Sequence, residues 1–349
     1  MDDIVSPLIV PVFIPHLGCP HRCVFCNQES ITGKKARSLC LWEIRNEIDT
    51  FLEGCRKTTR PVQLAFYGGN FLGLPPGSIQ ALLEMASAYI DSSRIHGIRF
   101  STRPDTIDPE RLDRIRCLPI DAVELGVQSM DDSVLALSRR GHTAEDSVRA
   151  VRHLKARGYR IGLQLMVGLP GDEEVRALET ARRVAALSPD FVRIYPAVVL
   201  KGSPLAGKYT RGEYIPWSLA RSVSMVKQMV ILFEEKKIRV IRMGLQATAD
   251  LDGKGVILAG PYHPAFGHLV FSEIYLDRAV AAITAAGWVE KAVRGQSVEI
   301  RVSPRCVSRM RGDKNQNIGR LREMFGFTAI VVVSDPSMEE GRVMITNLT

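Results

Sequence analysis

The chain alternates short apolar runs with longer segments in which apolar residues recur every three or four positions. Short runs rich in β-branched and aromatic residues are typical of buried strands, whereas three- and four-residue spacing is typical of amphipathic helices. The first pattern predicts strands at residues 8–14, 62–67, 98–102, 122–127, 161–167 and 191–195. The second pattern predicts helices at residues 41–55, 78–91, 109–117, 143–157, 172–187 and 217–236. Together they predict six βα units built on a parallel sheet.

The loops that follow the predicted strands are rich in Gly, Pro and polar residues, for example at Gly68, Gly69 and residues 168–171. Ligands bind at the carboxyl ends of parallel strands, both in a barrel and in an open doubly wound sheet. The alternation alone does not distinguish these two architectures. It does predict a ligand site at this edge of the sheet.

The pattern changes after a closing strand predicted at residues 239–243. The elements predicted beyond it are a helix at 267–286, a strand at 298–302, a helix at 307–325, and strands at 328–333 and 343–346. We therefore predict an α/β fold, a partial (βα)6 TIM-like barrel with a small C-terminal α/β appendage. The predicted domains are a core at residues 1–245, a connecting helical segment at 246–296 and a small basic domain at 297–349.

The composition is that of a folded protein. Of the 349 residues, 46% are hydrophobic and 24% are charged, which is typical of a globular chain rather than a disordered one. The longest apolar runs, such as residues 330–333, are far shorter than the roughly 18 residues that a membrane span needs. The acidic start at Met1, Asp2 and Asp3 lacks the features of a secretory signal. We therefore predict a cytoplasmic protein that does not associate with a membrane.

Three of the seven cysteines, Cys19, Cys23 and Cys26, follow directly after the first predicted strand. Such short spacing favours metal binding in a reducing compartment over disulfides. Cysteine thiolates hold iron–sulfur clusters at similar spacings, whereas zinc normally needs a fourth Cys or His. His16 and His21 are near enough in sequence to keep a zinc site open. The spacing favours a four-iron cluster in which one iron has no cysteine ligand.

The pattern Cys-x3-Cys-x2-Cys, with the aromatic Phe25 before its last cysteine, resembles the radical S-adenosylmethionine (SAM) superfamily. The resemblance implies that Cys19, Cys23 and Cys26 ligate a [4Fe-4S] cluster and that Phe25 lies beside it. It also implies that SAM chelates the open iron and is cleaved reductively to a 5′-deoxyadenosyl radical. An electron donor such as flavodoxin or ferredoxin is implied with it.

Residues at the ends of the following strands match other parts of the same superfamily. The turn Tyr67-Gly68-Gly69-Asn70-Phe71 resembles the superfamily's glycine-rich turn, whose backbone receives the SAM amino group. Its relatives more often carry Glu, Ser or Thr at the position of Asn70, which favours a backbone contact there. The resemblance implies SAM contacts from Phe25, Gly68, Gly69, Asn70, Ser101, Arg103, Glu124, Gln128, Arg140, Gln164 and Gly168. Taken alone, Glu124 or Arg140 is more typical of a structural ion pair.

Within the superfamily, residues 193–205 together with 125–129 and 140–143 look like the radical SAM core of the Elongator catalytic subunit, a tRNA wobble-uridine modifying enzyme. The likeness covers residues 8–245, and a weaker one extends to the oxygen-independent coproporphyrinogen oxidases. The roughly 100 residues that follow are too few for the Elongator subunit's acetyltransferase domain, so only the radical-generating core is implied. Tyr195 and Lys201 are candidates for the substrate side of the pocket, although a solvated loop would explain Lys201 equally well.

The C-terminal part of the chain is strongly basic, and the whole chain has a net charge of +8. Residues 301–322 carry seven Lys or Arg against the single acid Asp313, a local net charge of +6. Phosphate backbones attract such a surface. The segment from Arg311 through Gly312 to Asn315 looks like the G-x-x-G loop of half a KH-type RNA-binding unit, with Asn315 in place of the second glycine. A plain basic helix is the alternative.

These patterns together predict a radical SAM enzyme that modifies an RNA base, most simply in a tRNA. Two alternatives stay open at this point. One is a radical SAM oxidoreductase acting on a small molecule such as a porphyrin precursor. The other is a non-enzymatic, zinc-stabilised RNA-binding protein.

Overall fold

A computed structural model describes residues 7–14, 16–20, 22–28, 39–55, 58–246, 255–287 and 295–347. These residues fall into two compact units. The first lies within Met1–Ser218 and Leu232–Tyr262, and the second within Leu219–Ile231 and His263–Thr349. The helix that was predicted to connect two domains therefore groups with the C-terminal strands.

The first unit is built on parallel strands that alternate with helices. In chain order the elements up to its end are β1 (Leu8–Phe13), α1 (Leu41–Gly54), β2 (Val62–Tyr67), α2 (Pro76–Asp91), β3 (Gly97–Thr102), α3 (Pro109–Arg114), β4 (Ile120–Gln128), α4 (Asp132–Leu137), α5 (Ala144–Lys155), β5 (Arg160–Val167), α6 (Glu174–Ala186), β6 (Phe191–Pro196), β7 (Val199–Leu200), α7 (Pro204–Thr210), α8 (Leu219–Glu235), β8 (Arg239–Met243) and β9 (Ile257–Ala259). Among the described residues, the main sheet has seven parallel strands in the order β1-β2-β3-β4-β5-β6-β8. This order confirms the predicted partial-barrel α/β fold.

The sequence explains why these strands and helices form. Strands such as β2 and β4 are buried along most of their length, as expected where helices cover a parallel sheet. Helix α5 begins with a capping box in which the side chains of Thr143 and Asp146 each accept a hydrogen bond from the other's backbone N–H. Phe66, Phe71 and Phe100 stack at centroid distances of 5.1 and 4.6 Å. They join the ends of β2 and β3, where the predicted ligand loops begin.

Two short helices, α4 and α7, were not predicted. Each has fewer than eight residues, too few to display an apolar period. Local caps define them instead: the Asp131 carboxylate accepts hydrogen bonds from the backbone N–H groups of Ser133 and Val134, and the Ser203 hydroxyl accepts one from Ala206. The antiparallel pair of β7 and β9 was also missed, because two- and three-residue strands carry no alternation.

The second unit is a small α/β structure. It includes Leu219–Ile231, which is most of helix α8. Its further elements are α9 (Phe266–Ala285), β10 (Ser297–Val302), α10 (Val307–Arg311), α11 (Gln316–Phe325), β11 (Ala329–Ser334) and β12 (Met344–Asn347). The strands pair in the order β11-β10-β12, with β10 and β11 parallel. A core that includes Tyr275, Ile300, Met310 and Leu321 joins the sheet to the helices. Across the described ranges, no helix is both long enough and apolar enough to cross a membrane.

The prediction of one helix over residues 307–325 was wrong. The structure divides it into α10 and α11, because Lys314 and Asn315 have φ values of 49° and 61°, which no right-handed helix accommodates. Gly312 precedes them with φ 74°, and a Cβ on it would lie 2.9 Å from the Asn317 Cγ. The predicted glycine-containing loop is therefore a real turn between two helices.

Candidate functional site

The three clustered cysteines lie on the loop that leaves β1. Hydrogen bonds fix this loop at both ends: the Asn70 N–H donates to the Leu17 carbonyl at 2.8 Å, and the Val24 N–H donates to the Ser138 carbonyl at 3.0 Å. Gly18 has φ 72°, and a Cβ on it would lie 2.2 Å from the Asn70 carbonyl oxygen. Only glycine therefore allows the loop to approach the turn after β2 so closely. Cys19, Cys23 and Cys26 are free thiols.

The electrostatics of these thiols favour binding to a cation. Burial, reinforced by the neighbouring Cys23 and Cys19, raises the pKa of Cys26 to about 12. Burial and Cys23 likewise raise the pKa of Cys19, while Arg140 and Arg103 act in the opposite direction. Thiolates withdrawn from water in this way are costly unless a cation compensates them, and iron binding supplies that compensation. The donor set therefore fits a [4Fe-4S] cluster.

The geometry around His16 bears on the zinc alternative. The His16 Nε2 accepts a hydrogen bond from the Gln28 backbone N–H at 3.2 Å, so this ring already has a partner within the loop. His21 lies outside the described residues. In the part of the chain that the structure describes, no group of three or more His, Cys, Asp or Glu is arranged to hold a single metal ion. With His16 engaged, the cysteines suit a cubane, in which each thiolate binds a different iron.

The turn after β2 is held against the cysteine loop by Asn70, whose side chain is completely buried. Its Nδ2 donates to the Gly18 carbonyl at 2.8 Å. Its Oδ1 accepts from the Thr102 hydroxyl at 2.6 Å, the Thr106 hydroxyl at 3.0 Å and the Arg103 N–H at 3.0 Å. The side chain thus joins the cysteine loop to the end of β3, and its predicted contact with SAM stays a prediction.

Replacing Asn70 with alanine should lower the free energy of unfolding by about 2–3 kcal/mol, because buried donors and an acceptor lose their partner. Asn46 lies exposed on α1, so Asn46→Ala is a matched control expected to change stability by less than about 0.5 kcal/mol. Urea unfolding of both variants measures the difference. Equal stabilities for the two variants would refute this role for Asn70.

Glu124 of β4 forms the centre of a buried ion cluster with side chains from β2, β3 and β6. Its carboxylate accepts from Arg193 Nη1 at 2.7 Å and from the Tyr67 hydroxyl at 2.8 Å, and it lies 3.1 Å from Arg99 Nε. Burial alone would raise the pKa of Glu124, but Arg193, Arg99 and the hydrogen bonds from Arg193 and Tyr67 lower it overall. Glu124 is therefore ionised and forms a structural ion pair, while its predicted contact with SAM stays a prediction.

Tyr195 and the two predicted glutamines lie on neighbouring strands. Gln164 Nε2 donates to Gln128 Oε1 at 3.3 Å, and Gln128 sits at an irregularity in β4 with φ 68°. Tyr195 pairs in register with Met166 of β5, and the Arg193 guanidinium lies 5.6 Å from the Tyr195 ring centre. Burial raises the pKa of Tyr195, so its phenol stays protonated at neutral pH. Gln128, Gln164 and Tyr195 thus place polar groups near the carboxyl ends of the neighbouring strands β4, β5 and β6.

Arg103 and Arg140 lie buried beside the cysteines. Arg103 donates to both Asp105 carboxylate oxygens, at 2.9 and 2.8 Å, and to the Arg140 carbonyl at 2.6 Å. The Arg140 guanidinium donates to the Cys23 sulfur at 3.2 Å and to the Gly126 carbonyl at 2.6 Å. The structure therefore brings Arg140 to a cysteine of the loop, a contact that its sequence context did not indicate.

The remaining candidates occupy the rim of the same edge. Lys201 is exposed. Its carbonyl accepts a hydrogen bond at 2.6 Å from the side chain of Asn27, the residue that follows Cys26. Phe25 packs against two small apolar clusters that flank the loop. Gly168 has φ 75°, and its carbonyl accepts from the Tyr214 hydroxyl at 2.6 Å. Ser101 is partly buried and pairs in register with Glu124.

Arg99 and Arg193 were not among the predicted site residues. Each lies inside an otherwise apolar strand, Arg99 between Ile98 and Phe100. A cation at such a position needs a buried carboxylate, and this was the available signal. It identifies the partner only when the register of β3, β4 and β6 is known.

Most of the chain matches known protein families. Residues 13–184 match the radical SAM superfamily, and residues 189–275 match the radical SAM C-terminal domain. The first match contains the cysteine loop, the turn after β2, and the Glu124 and Arg140 regions. The second contains Tyr195 and Lys201.

Individual relatives are similar at low identity. An uncharacterized protein of Methanocaldococcus jannaschii is 28% identical over 226 residues, covering 62% of this chain and 69% of the relative. The tRNA uridine(34) acetyltransferase of the same archaeon is 26% identical over 285 residues, covering 70% of this chain and 52% of the relative. The chain thus spans about half the length of that acetyltransferase. The solved Elp3 structure from Methanocaldococcus infernus superposes with a TM-score of 0.62 at 22% identity, covering 78% of this chain and 63% of that chain. That structural likeness concerns the fold alone.

Proposed function

Because the chain belongs to the radical SAM superfamily, whose enzymes use a [4Fe-4S] cluster and SAM, we propose that it generates a substrate radical to modify an RNA base, most directly in a tRNA. In this proposal Cys19, Cys23 and Cys26 hold the cluster. When bound, the cluster, reduced by an electron donor such as flavodoxin or ferredoxin, would supply one electron to the sulfonium of SAM, so that the C5′–S bond breaks into methionine and a 5′-deoxyadenosyl radical able to abstract hydrogen. The observation that carries the chemistry is the trio of free thiols, Cys23 buried and Cys19 and Cys26 partly buried, fixed on one loop at the carboxyl edge of a parallel sheet.

The residues around the cysteines divide into three proposed roles. The backbone of Gly68 and Gly69, with Ser101, Gln128, Gln164 and Gly168, would contact SAM. Tyr195 and Lys201 would face the substrate, with Tyr195 as a protonated hydrogen-bond donor. Asn70, Glu124 and Arg193 fix the loops and strands that carry these groups, and the contacts of Asn70 and Glu124 with SAM stay predictions.

The RNA substrate is supported by a relative and by one loop. The relative named for tRNA uridine(34) acetylation aligns with 70% of this chain. In the second unit, Arg301, Arg305, Arg309 and Arg320 have acidic partners, which neutralise much of the basic segment. Arg311 and Lys314 are exposed and form no ion pair with the described residues. Arg322 is likewise exposed and forms no ion pair with the described residues, so two of the three unpaired cations of the segment, Arg311 and Lys314, lie at the Gly312–Asn315 turn, beside the exposed Asp313.

The geometry of that turn favours nucleic acid over a plain basic helix. Gly-containing loops between two helices clamp the sugar–phosphate backbone in KH domains. Here Asn317, which is buried, fixes the turn by donating from Nδ2 to the Ser272 carbonyl at 2.8 Å and to the Met310 carbonyl at 3.2 Å. A rigid turn that presents two cations suits a regularly spaced chain of phosphates.

Modified nucleosides in total tRNA test the substrate class. We expect one or more modified nucleosides to disappear when the gene is deleted, and to return with the wild-type gene but not with a Cys23→Ala gene. An unchanged profile would refute the RNA proposal. Release of 5′-deoxyadenosine by the same protein would then favour a small-molecule substrate.

The double variant Arg311→Gln/Lys314→Gln should bind tRNA about tenfold more weakly and reduce the salt slope of log K by roughly 1 to 2. The matched control is Arg305→Gln/Arg342→Gln, which removes the same charge from two exposed arginines that are ion-paired with Glu340 and Glu339. Binding titrations at several salt concentrations measure both variants. Equal weakening in the two would mean that net charge, rather than the turn, governs binding.

A further inference from the structure

The positively charged side chain of Arg140 contacts the cysteine loop directly. One end of its guanidinium, Nη1, donates to the Cys23 sulfur at 3.2 Å, and the other end, Nη2, donates to the Gly126 carbonyl at 2.6 Å. Arg140 is 6% exposed and Cys23 is also 6% exposed, so this contact is shielded from water. A hydrogen bond between a cation and a buried sulfur is strong because little solvent competes with it.

The surrounding structure fixes this guanidinium in place. The Arg140 carbonyl accepts from Arg103 Nη2 at 2.6 Å, and Arg103 is in turn held by the Asp105 carboxylate. Residue 126 is a glycine, and a Cβ there would lie 2.9 Å from Nη2, so a larger residue would displace the guanidinium from this position. The chain thus orients Arg140 before any cluster binds.

We propose that Arg140 tunes the reduction potential of the cluster through its hydrogen bond to the Cys23 thiolate. The inference rests on the proposed assignment of Cys23 as a cluster ligand. Net charge, hydrogen bonds to the sulfurs and solvent exposure set the potential of an iron–sulfur cluster. Reduction adds one negative charge to a cluster that already carries thiolates. A fixed cation and an N–H donor at one of those thiolates stabilise the reduced form more than the oxidised form, so Arg140 raises the potential.

This role differs from the SAM contact that the resemblance implies for Arg140. A SAM contact would change the affinity for SAM and leave the potential of the cluster without SAM unaltered. A purely structural role, through the Gly126 carbonyl, would change stability or cluster content and would also leave that potential unaltered. The midpoint potential without SAM therefore separates the three roles.

The test uses the full chain, reconstituted anaerobically with iron and sulfide, as wild type, Arg140→Gln, Arg140→Lys and Arg139→Gln. Iron and sulfide contents are measured first, and the midpoint potential is then measured without SAM by a redox titration followed by EPR. Arg139 is the neighbouring exposed arginine, so its variant is the matched control. We expect a more negative potential in Arg140→Gln than in wild type. Lysine keeps the charge but cannot bridge two acceptors in the same plane, so Arg140→Lys should fall between them. Arg139→Gln should match wild type.

Wild-type potentials in both Arg140 variants would overturn the proposal. If Arg140→Gln fails to hold a cluster, the comparison of Arg140→Lys with wild type decides, and an unchanged potential there is equally contrary. Failure of the wild-type protein to bind a cluster would instead refute the assignment of the cysteines. The two failures are therefore distinguishable.

Discussion

Cys23→Ala is expected to abolish cluster binding and reduce 5′-deoxyadenosine release to the background of a protein-free reaction. The three free thiols are held on one loop, and the Cys23 sulfur is buried in contact with Arg140. Removal of this sulfur leaves two ligands where the proposed cubane needs three, and leaves the Arg140 donor facing no acceptor. The measurement is iron and sulfide per chain after anaerobic reconstitution, followed by 5′-deoxyadenosine after reduction in the presence of SAM.

Cys117→Ala is the matched control, because Cys117 is an exposed free thiol in a different part of the first unit. It should keep wild-type cluster content and SAM cleavage. Cys19→Ala and Cys26→Ala should behave like Cys23→Ala. A Cys23→Ala protein that holds as much cluster as the control would contradict the assignment of the three cysteines.

The sequence was sufficient to predict the main sheet, because buried parallel strands leave a strong apolar signal. Strand β2 at Val62–Tyr67 and strand β8 at Arg239–Met243 have the predicted bounds. Elements that depend on a few local hydrogen bonds were missed or misdrawn. Helix α4 depends on the Asp131 cap, and the break between α10 and α11 depends on two residues with positive φ. An apolar period cannot report either feature.

The sequence predicted the part of the candidate site that is local in the chain and missed the contacts that depend on the fold. The cysteine spacing is local in sequence, so it indicated the loop directly. The roles of Asn70 and Arg140 depend on which backbone approaches them in three dimensions: Asn70 spans 52 positions to reach Gly18, and Arg140 spans 117 to reach Cys23. Sequence spacing carries no information about such contacts, which secure the surrounding loops.

Glu124→Ala is expected to lower the free energy of unfolding by about 3–5 kcal/mol, the usual cost of removing one partner of a buried ion pair. Without the carboxylate, Arg99 and Arg193 would remain buried as neighbouring cations, with side-chain exposures of only 7% and 16%. The control is Glu110→Ala, since the Glu110 side chain is 80% exposed and pairs with Arg114 on the surface of α3. Its effect should be below about 1 kcal/mol. Urea unfolding of the two variants measures the difference, and similar losses would refute the buried cluster as a stabilising unit.

The pH dependence of the free energy of unfolding distinguishes the contribution of the Glu124 charge from that of its packing and hydrogen bonds. Because the folded-state pKa of Glu124 is lowered, its ionisation stabilises the fold above the ordinary carboxyl pKa, and this contribution is lost as pH falls through the lowered value. Glu124→Gln keeps the size of the side chain and removes the charge. The stability gap between wild type and Glu124→Gln should therefore be largest near neutral pH and narrow in acid, as wild-type Glu124 becomes protonated. A gap that stayed constant from neutral to acidic pH would mean that hydrogen-bond geometry, and not charge, accounts for the role of Glu124. Arg99 and Arg193 would then be held by the hydrogen-bond geometry at residue 124 and would need no ionised carboxylate there.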